Sequence, residues 1–165
     1  MKKKKKVHPI PKGYPVLTPY LIIKGASSAI DFYKKAFGAK ERLRMDAPGG
    51  TIGHCELLFG PSLIMLADEF PNCGAASPAT LGGSTTTMMV YVKDVDAAFA
   101  KAMAAGAAQV MAPMDMFYGD RSCTVKDPFG HVWTLASHIE DVSPKEMKKR
   151  GKEAMAKMAE HPPQS

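Results

Sequence analysis

The sequence predicts an α+β fold: two tandem βαβββ modules followed by a C-terminal helix. Three observations predict it. Short apolar runs at strand spacing and amphipathic stretches at helical spacing follow one another in the same order twice. Two separate stretches repeat at one offset of about 69 positions. That offset pairs Thr18 with Thr87, Leu21 with Val90, Ile23 with Val92 and Lys24 with Lys93, then Ile64 with Trp133, Met65 with Thr134, Leu66 with Leu135 and Ala67 with Ala136. A charged helical segment then opens at "SPKE", where Ser143 suits an N-cap, Pro144 the first turn and Glu146 a capping box.

Taken in order, Val16 to Ile23 is a buried-strand run that Gly25 breaks. "SSAIDFYKKAFG" puts Ala29, Phe32, Tyr33, Ala36 and Phe37 on one helical stripe, with Ser27 or Ser28 as the cap and Gly38 as the stop. Strands are expected over Lys40–Met45, Ile52–Phe59 and Ser62–Ala67. Residues 68–84, rich in Gly, Pro, Ser and Ala, read as a long loop. The second module runs from the strand "TTTMMVYVKD" to the helix "VDAAFAKAMAAG", then to strands at Ala108–Ala112, Arg121–Lys126 and "HVWTLASHI". The expected boundaries are a disordered basic tail over 1–13, one domain over 14–141 (modules 14–70 and 85–141, linker loop 70–84), and a helix and tail over 142–165.

Bulk properties exclude several function classes. At 165 residues and 45% apolar, the chain can bury one real core. The net charge of +6 is mostly local: without Lys2–Lys6, 17 basic residues face 16 acidic ones. Nucleic-acid binding would want basic residues spread over a folded face, so no nucleic-acid partner is expected. Cys55, Cys73 and Cys123 are odd in number and include no CxxC pair, which argues against a disulfide scaffold or zinc ribbon. No apolar run is long enough to span a bilayer and no signal-peptide core follows the lysines, so a cytoplasmic protein without a membrane partner is expected.

The stretches "TPYLIIKGASSAIDFYKKAFGA", "GHCELLFGPSLIMLADE", "VYVKDVDAAFAKAMAAGA" and "FYGDRSCTVKDPFGHVWTLASH" resemble the vicinal oxygen chelate (VOC) superfamily of glyoxalase I, bleomycin-resistance proteins and extradiol dioxygenases, and within it the PhnB-like branch. The likeness covers about Val16 to Asp141. It implies a curved mixed sheet around an open cup, and a homodimer. Metal enzymes of the superfamily place His or Glu at four cup positions, two per module. The matching positions here are Thr18, Met65, Thr87 and Thr134. Three hydroxyls and a thioether are poor ligands for zinc, iron or nickel, so neither a bound metal nor another cofactor is expected.

Strand alternation sorts the remaining candidates. Leu21, Ile23, Cys55, Leu57, Phe59, Met88, Val90, Val92, Trp133 and Leu135 are expected to face the helices. Thr18, Tyr20, Ile22, His54, Glu56, Thr87, Met89, Tyr91, Thr134, Ala136 and His138 are expected on the other face. His54 and Glu56 form the strongest polar pair: either a base and an anchor in a cavity, or a pair satisfied within the sheet. In "FYGDRS", Phe117 and Tyr118 offer amphipathic area and Arg121 a planar cationic fork, near the cavity mouth by the resemblance. The alternative is a turn in which Asp120 pairs with Arg121. "DPFG" reads as turn chemistry. Asp68 and Glu69 sit at a strand end, and twelve methionines suit either an adaptable pocket or plain core.

The expected function is metal-free binding of a small, partly apolar molecule, as in bleomycin-resistance proteins, with Tyr20, His54, Glu56, Met65, Met89, Phe117, Tyr118, Arg121 and Thr134 as contacts. The alternative is a glyoxalase-like lyase or isomerase, or a dioxygenase, using His54 and Glu56 with or without a displaced divalent metal.

Overall fold

The computed structural model describes residues 7–160, so the lysine run Lys2–Lys6 and residues 161–165 lie outside the described residues. The chain falls into two compact units that divide between Gly83 and Ser84. In the first, β1 (Tyr20–Ile23), β2 (Lys40–Ala47), β3 (Thr51–Phe59) and β4 (Ser62–Asp68) form a four-stranded sheet in the order β1-β4-β3-β2. Only β1 and β4 run parallel; the crossover between β1 and β2 is α1 (Ala26–Phe37).

The second unit repeats the plan. Its strands are β5 (Thr87–Tyr91), β6 (Ala108–Asp115), β7 (Asp120–Lys126) and β8 (Val132–His138), in the order β5-β8-β7-β6. Its crossover helix is α3 (Val95–Ala105), and the C-terminal α4 (Pro144–Glu160) follows. The repeat extends to register. Tyr20 pairs with Met65 and Leu21 with Leu66, as Met89 pairs with Thr134 and Val90 with Leu135. Cys55 faces Leu66 across the ladder as Cys123 faces Leu135, and both thiols are fully buried.

The faces follow the alternation. In the first unit Leu21, Ile23, Cys55, Leu57 and Leu66 pack with Ala29, Ile30, Phe32, Tyr33 and Ala36 of α1, all buried. In the second, Cys123, Val125, Trp133 and Leu135 pack with Val95 and Ala102 of α3. Burying each such side chain contributes roughly 1.5–3 kcal/mol, and two such layers hold the two sheets.

Several local expectations are corrected. β1 starts at Tyr20 rather than Val16, because Pro19 has no N–H to give a ladder; Val16 and Leu17 stand 88% and 84% exposed. Helix α1 starts at Ala26, so Ser27 and Ser28 lie inside it. Its free N–H groups are met from a distance: Asp68 Oδ1 accepts from Gly25 and Ala26, each at 2.9 Å. The loop over 68–84 holds a 3-10 turn at Pro71–Cys73 and a short helix, α2 (Pro78–Leu81), capped by Ser77. On α4, Ser143 Oγ accepts the Glu146 N–H at 3.3 Å, but the Glu146 carboxylate turns to Arg150 instead of completing the box. Among the described residues no helix is long and apolar enough to cross a membrane.

Candidate functional site

The helix-free face of the first sheet carries the candidate centre. Register places Glu56 beside Met65 and Leu43, and His54 beside Met45. Cross-strand partners share a face, so these residues project together. Tyr20 joins them through its pairing with Met65, and its hydroxyl lies 3.0 Å from His54 Nδ1. His54 Nε2 lies 3.5 Å from Glu56 Oε1, so the expected pair does meet.

Two further residues belong to this cluster. Tyr14, from the segment before β1, donates its hydroxyl to Glu56 Oε1 at 2.8 Å. Arg42 sits at a register shift in β2. Its Nε approaches Glu56 Oε2 to 3.5 Å, its guanidinium covers the Tyr14 ring at 4.3 Å, and it donates to the Gly13 carbonyl at 3.0 Å. No local pattern signals Tyr14, since 42 residues separate it from its partner. Arg42 gives a signal only through its bulge, which breaks the alternation.

Glu56 is 2% exposed, and its Oε2 accepts no hydrogen bond. A buried carboxylate is costly unless paired, so its neighbours matter. The hydrogen bond to Glu56, then burial, holds the Tyr14 phenol above its ordinary range and so keeps it a donor. Burial raises Tyr20 likewise.

In the second unit Met89 and Thr134 are ladder neighbours, and Thr134 Oγ1 lies 3.3 Å from Thr124 Oγ1. Arg121 lies on the opposite face. Its fork grips Asp96 of α3 at 2.8 and 2.9 Å and Asp115 at 2.8 Å. Its guanidinium is thereby committed within the unit, and Asp120 is not its partner. Asp120 instead accepts from the Tyr91 hydroxyl at 2.8 Å and meets His138 Nδ1 at 2.7 Å, while His138 Nε2 meets Asp141 at 3.0 Å. Phe117 and Tyr118 pack edge to face, with centroids 5.3 Å apart, and Phe117 lies against α4 beside Gly151. The expected contacts therefore gather as Tyr20, His54, Glu56 and Met65 in one unit, and as Met89 with Thr134 in the other.

The four positions that the resemblance matches to metal ligands carry donors that suit a divalent cation poorly. Thr18 precedes β1, Thr87 opens β5, and Met65 and Thr134 offer a thioether and a neutral hydroxyl. Nor do the other imagined donors converge. Among the described residues no three of His, Cys, Asp and Glu come together to hold a metal. Asp68 spends Oδ1 on Gly25 and Ala26 and Oδ2 on Ile52 N–H at 2.7 Å. Glu69 is likewise structural: it accepts the Ser77 N–H at 2.6 Å, and hydrogen bonds from Thr80 and Ser77 lower its pKa.

A family model, the Glyoxalase/Bleomycin resistance protein/Dioxygenase superfamily, matches residues 16–135. The chain belongs to that superfamily. Among relatives of this glyoxalase/bleomycin-resistance chain, the Mycobacterium tuberculosis protein Rv0887c is 44% identical over 132 residues, 78% of this chain and 78% of that protein. The Arabidopsis thaliana protein At5g48480 is similar in structure at a TM-score of 0.62 and 30% identity, covering 74% of this chain and 98% of that one. TioX from Micromonospora sp. ML1 matches at a TM-score of 0.62 and 28% identity, over 76% of this chain and all of that one.

Proposed function

We propose that the protein is a binder of a small, partly apolar molecule that works without a catalytic metal, a bleomycin-resistance-like member of the superfamily's PhnB-like branch. One observation carries the reading: the helix-free face of the first sheet sets one buried carboxylate among Tyr20, His54, Met65, Leu43 and Met45, while the family's four metal seats hold no imidazole, carboxylate or thiolate. Apolar and aromatic surface around few polar anchors is how small-molecule sites hold their ligands. The second unit, taken by itself, carries methionine-rich, helix-free surface, with Met89 and Met114 about half exposed at 48% and 49%. Methionine adapts to varied shapes. The protein acts as a cytoplasmic homodimer in this reading, in keeping with its reduced cysteines and with exposed apolar side chains such as Leu43, Met45 and Tyr91.

The test is a melting screen of the untagged protein against hydrophobic antibiotics and aromatic metabolites, with metal analysis of the same sample. A ligand at a hundredfold excess over its Kd contributes about 2.7 kcal/mol of stability, which a melting shift reports. Saturable shifts without turnover and without stoichiometric metal support the reading. Chelator-sensitive glyoxalase or dioxygenase turnover would overturn it.

That second outcome is the alternative reading, a lyase, isomerase or dioxygenase acting through His54 and Glu56. The 3.5 Å approach of His54 Nε2 to Glu56 Oε1 favours it, since a carboxylate-oriented imidazole is a ready general base. Under that reading His54→Ala abolishes turnover; under the binding reading it only weakens affinity.

A further inference from the structure

The sheet itself does not demand a carboxylate at Glu56. The second copy of the fold places Thr124 at the corresponding site, since Glu56 pairs with Met65 as Thr124 pairs with Thr134. The sheet therefore forms with a neutral residue there. A carboxylate 2% exposed, whose Oε2 accepts no hydrogen bond and has only the Arg42 guanidinium at 3.5 Å, is costly to bury unless something further uses it.

Its present hydrogen-bond donor comes from the chain before β1. Tyr14 brings a phenol whose hydroxyl donates to Oε1 at 2.8 Å and whose ring lies under the Arg42 guanidinium at 4.3 Å. The segment that delivers it is lightly attached: a turn from Tyr14 N–H to the Pro11 carbonyl at 3.2 Å and the Arg42 bond to Gly13 hold it, and the next residues, Val16 and Leu17, are 88% and 84% exposed. A carboxylate acceptor, a flat cation to cover an aromatic face, and flanking Tyr20 and His54 together make a site for a planar aromatic bearing a hydroxyl donor.

We propose that the Glu56–Arg42 seat is a ligand site for neutral hydroxyaryl compounds, and that Tyr14 occupies it as a built-in stand-in which such a ligand displaces. The proposal rests on the small-molecule reading and names its ligand class. The ring slides beneath Arg42, its hydroxyl donates to the Glu56 carboxylate, and the segment carrying Tyr14 swings away. A tethered competitor acts at an effective concentration on the order of millimolar, so Tyr14 also sets a threshold that weak ligands do not pass.

The experiment titrates p-cresol, which is the tyrosine side chain itself, and toluene, the same ring without a hydroxyl, into the wild-type chain and into Tyr14→Ala, followed by NMR. The variant is expected to bind p-cresol at least tenfold more tightly than the wild type does, and at least tenfold more tightly than it binds toluene. Adding Glu56→Leu should erase the preference for p-cresol over toluene. Equal binding of the two probes by Tyr14→Ala overturns the proposal, as does equal p-cresol binding by variant and wild type. Should Tyr14→Ala fail to fold, Tyr14→Phe keeps the ring and loses only the hydroxyl; at least threefold tighter p-cresol binding than wild type is then expected, and no gain overturns the proposal. Indifference to the hydroxyl sinks the ligand class alone, whereas failure of the aromatic and antibiotic melting screen on the wild type sinks the binding reading beneath it.

Discussion

Asp127 Oδ2 accepts the indole N–H of Trp133 at 2.9 Å, while Oδ1 accepts the N–H groups of Phe129 and His131, each at 2.9 Å. One buried carboxylate thus builds the "DPFG" turn and orients the largest buried side chain of the second unit. Asp127→Ala leaves two buried donors, the His131 N–H and the Trp133 indole, and the part-buried Phe129 N–H without this acceptor, and an unmet buried donor costs about 1–3 kcal/mol. We expect a loss of about 3 kcal/mol in urea unfolding. Trp133 is the only tryptophan, so its fluorescence reports the transition directly. Asp127→Asn, which keeps an acceptor for the turn but turns an amide toward the indole, should lose less.

Gly119 makes a second local prediction. It stands at φ 96°, and a β carbon there would meet the carbonyl oxygen of Glu140 head on, with Val142 beside it. Its own carbonyl accepts the N–H groups of Ile139 and Glu140 at 2.9 and 3.0 Å, so the turn cannot retreat without breaking that contact. Gly119→Ala should cost more than about 3 kcal/mol, combining left-handed strain with overpacking against backbone. Gly60, at φ 58° with nothing within 4 Å of its virtual β carbon, is the control. There alanine pays only the conformational cost, about 1 kcal/mol. Thermal unfolding of both variants checks the ordering.

These two turns show what is legible in the sequence. The "DPFG" turn, the helix stops at Gly38 and Gly106 and the side-chain faces of β3 and β8 depend on neighbours a few residues away, and period-two alternation reads them. The 69-residue offset reappears as ladder register because both copies bury the same layers. What was not legible depends on distance. Asp68 caps α1 from 42 residues away, so Ser27 and Ser28 looked like better caps than they are. Tyr14 reaches Glu56 only because the chain before β1 crosses the sheet, and the bulge at Arg42 turns a residue that alternation would send elsewhere. Arg121 looked available because Asp96 and Asp115, 25 and 6 residues off, come to it only through the packing of α3 and the pairing of β6.

The cysteines give a prediction about reactivity. Cys55 and Cys123 are fully buried, whereas Cys73 is exposed. Burial, helped by nearby Glu41, pushes the Cys55 thiol up to about 11, and burial raises Cys123 as well. Thiolate is the reactive form, so neither core cysteine should react at neutral pH. A thiol reagent should modify Cys73 alone in the native protein and all three in urea, counted by mass spectrometry. Rapid native labelling of Cys55 would show that the α1 layer opens locally.

His138 gives the last prediction, and its sign follows from its partners. Its Nδ1 faces Asp120 at 2.7 Å and its Nε2 faces Asp141 at 3.0 Å, while Tyr91 donates to the other oxygen of Asp120. The hydrogen bond to Asp120 first, then that to Asp141, favours the imidazolium and raises the His138 pKa above its usual 6.5. A group whose pKa is higher in the folded state stabilises that state fully below its unfolded pKa, and loses the contribution as pH rises through the folded value. The stabilisation should therefore be present at pH 6 and fade on the alkaline side of 6.5. Asp141 is fully exposed and His138 is itself exposed, although Asp120 is buried, so the effect should be modest and weaken with salt. NMR titration of the His138 ring checks the direction, and Asp120→Asn should move its midpoint down more than Asp141→Asn does. A midpoint at or below that of an unstructured histidine would mean the two carboxylates do not hold the ring in solution.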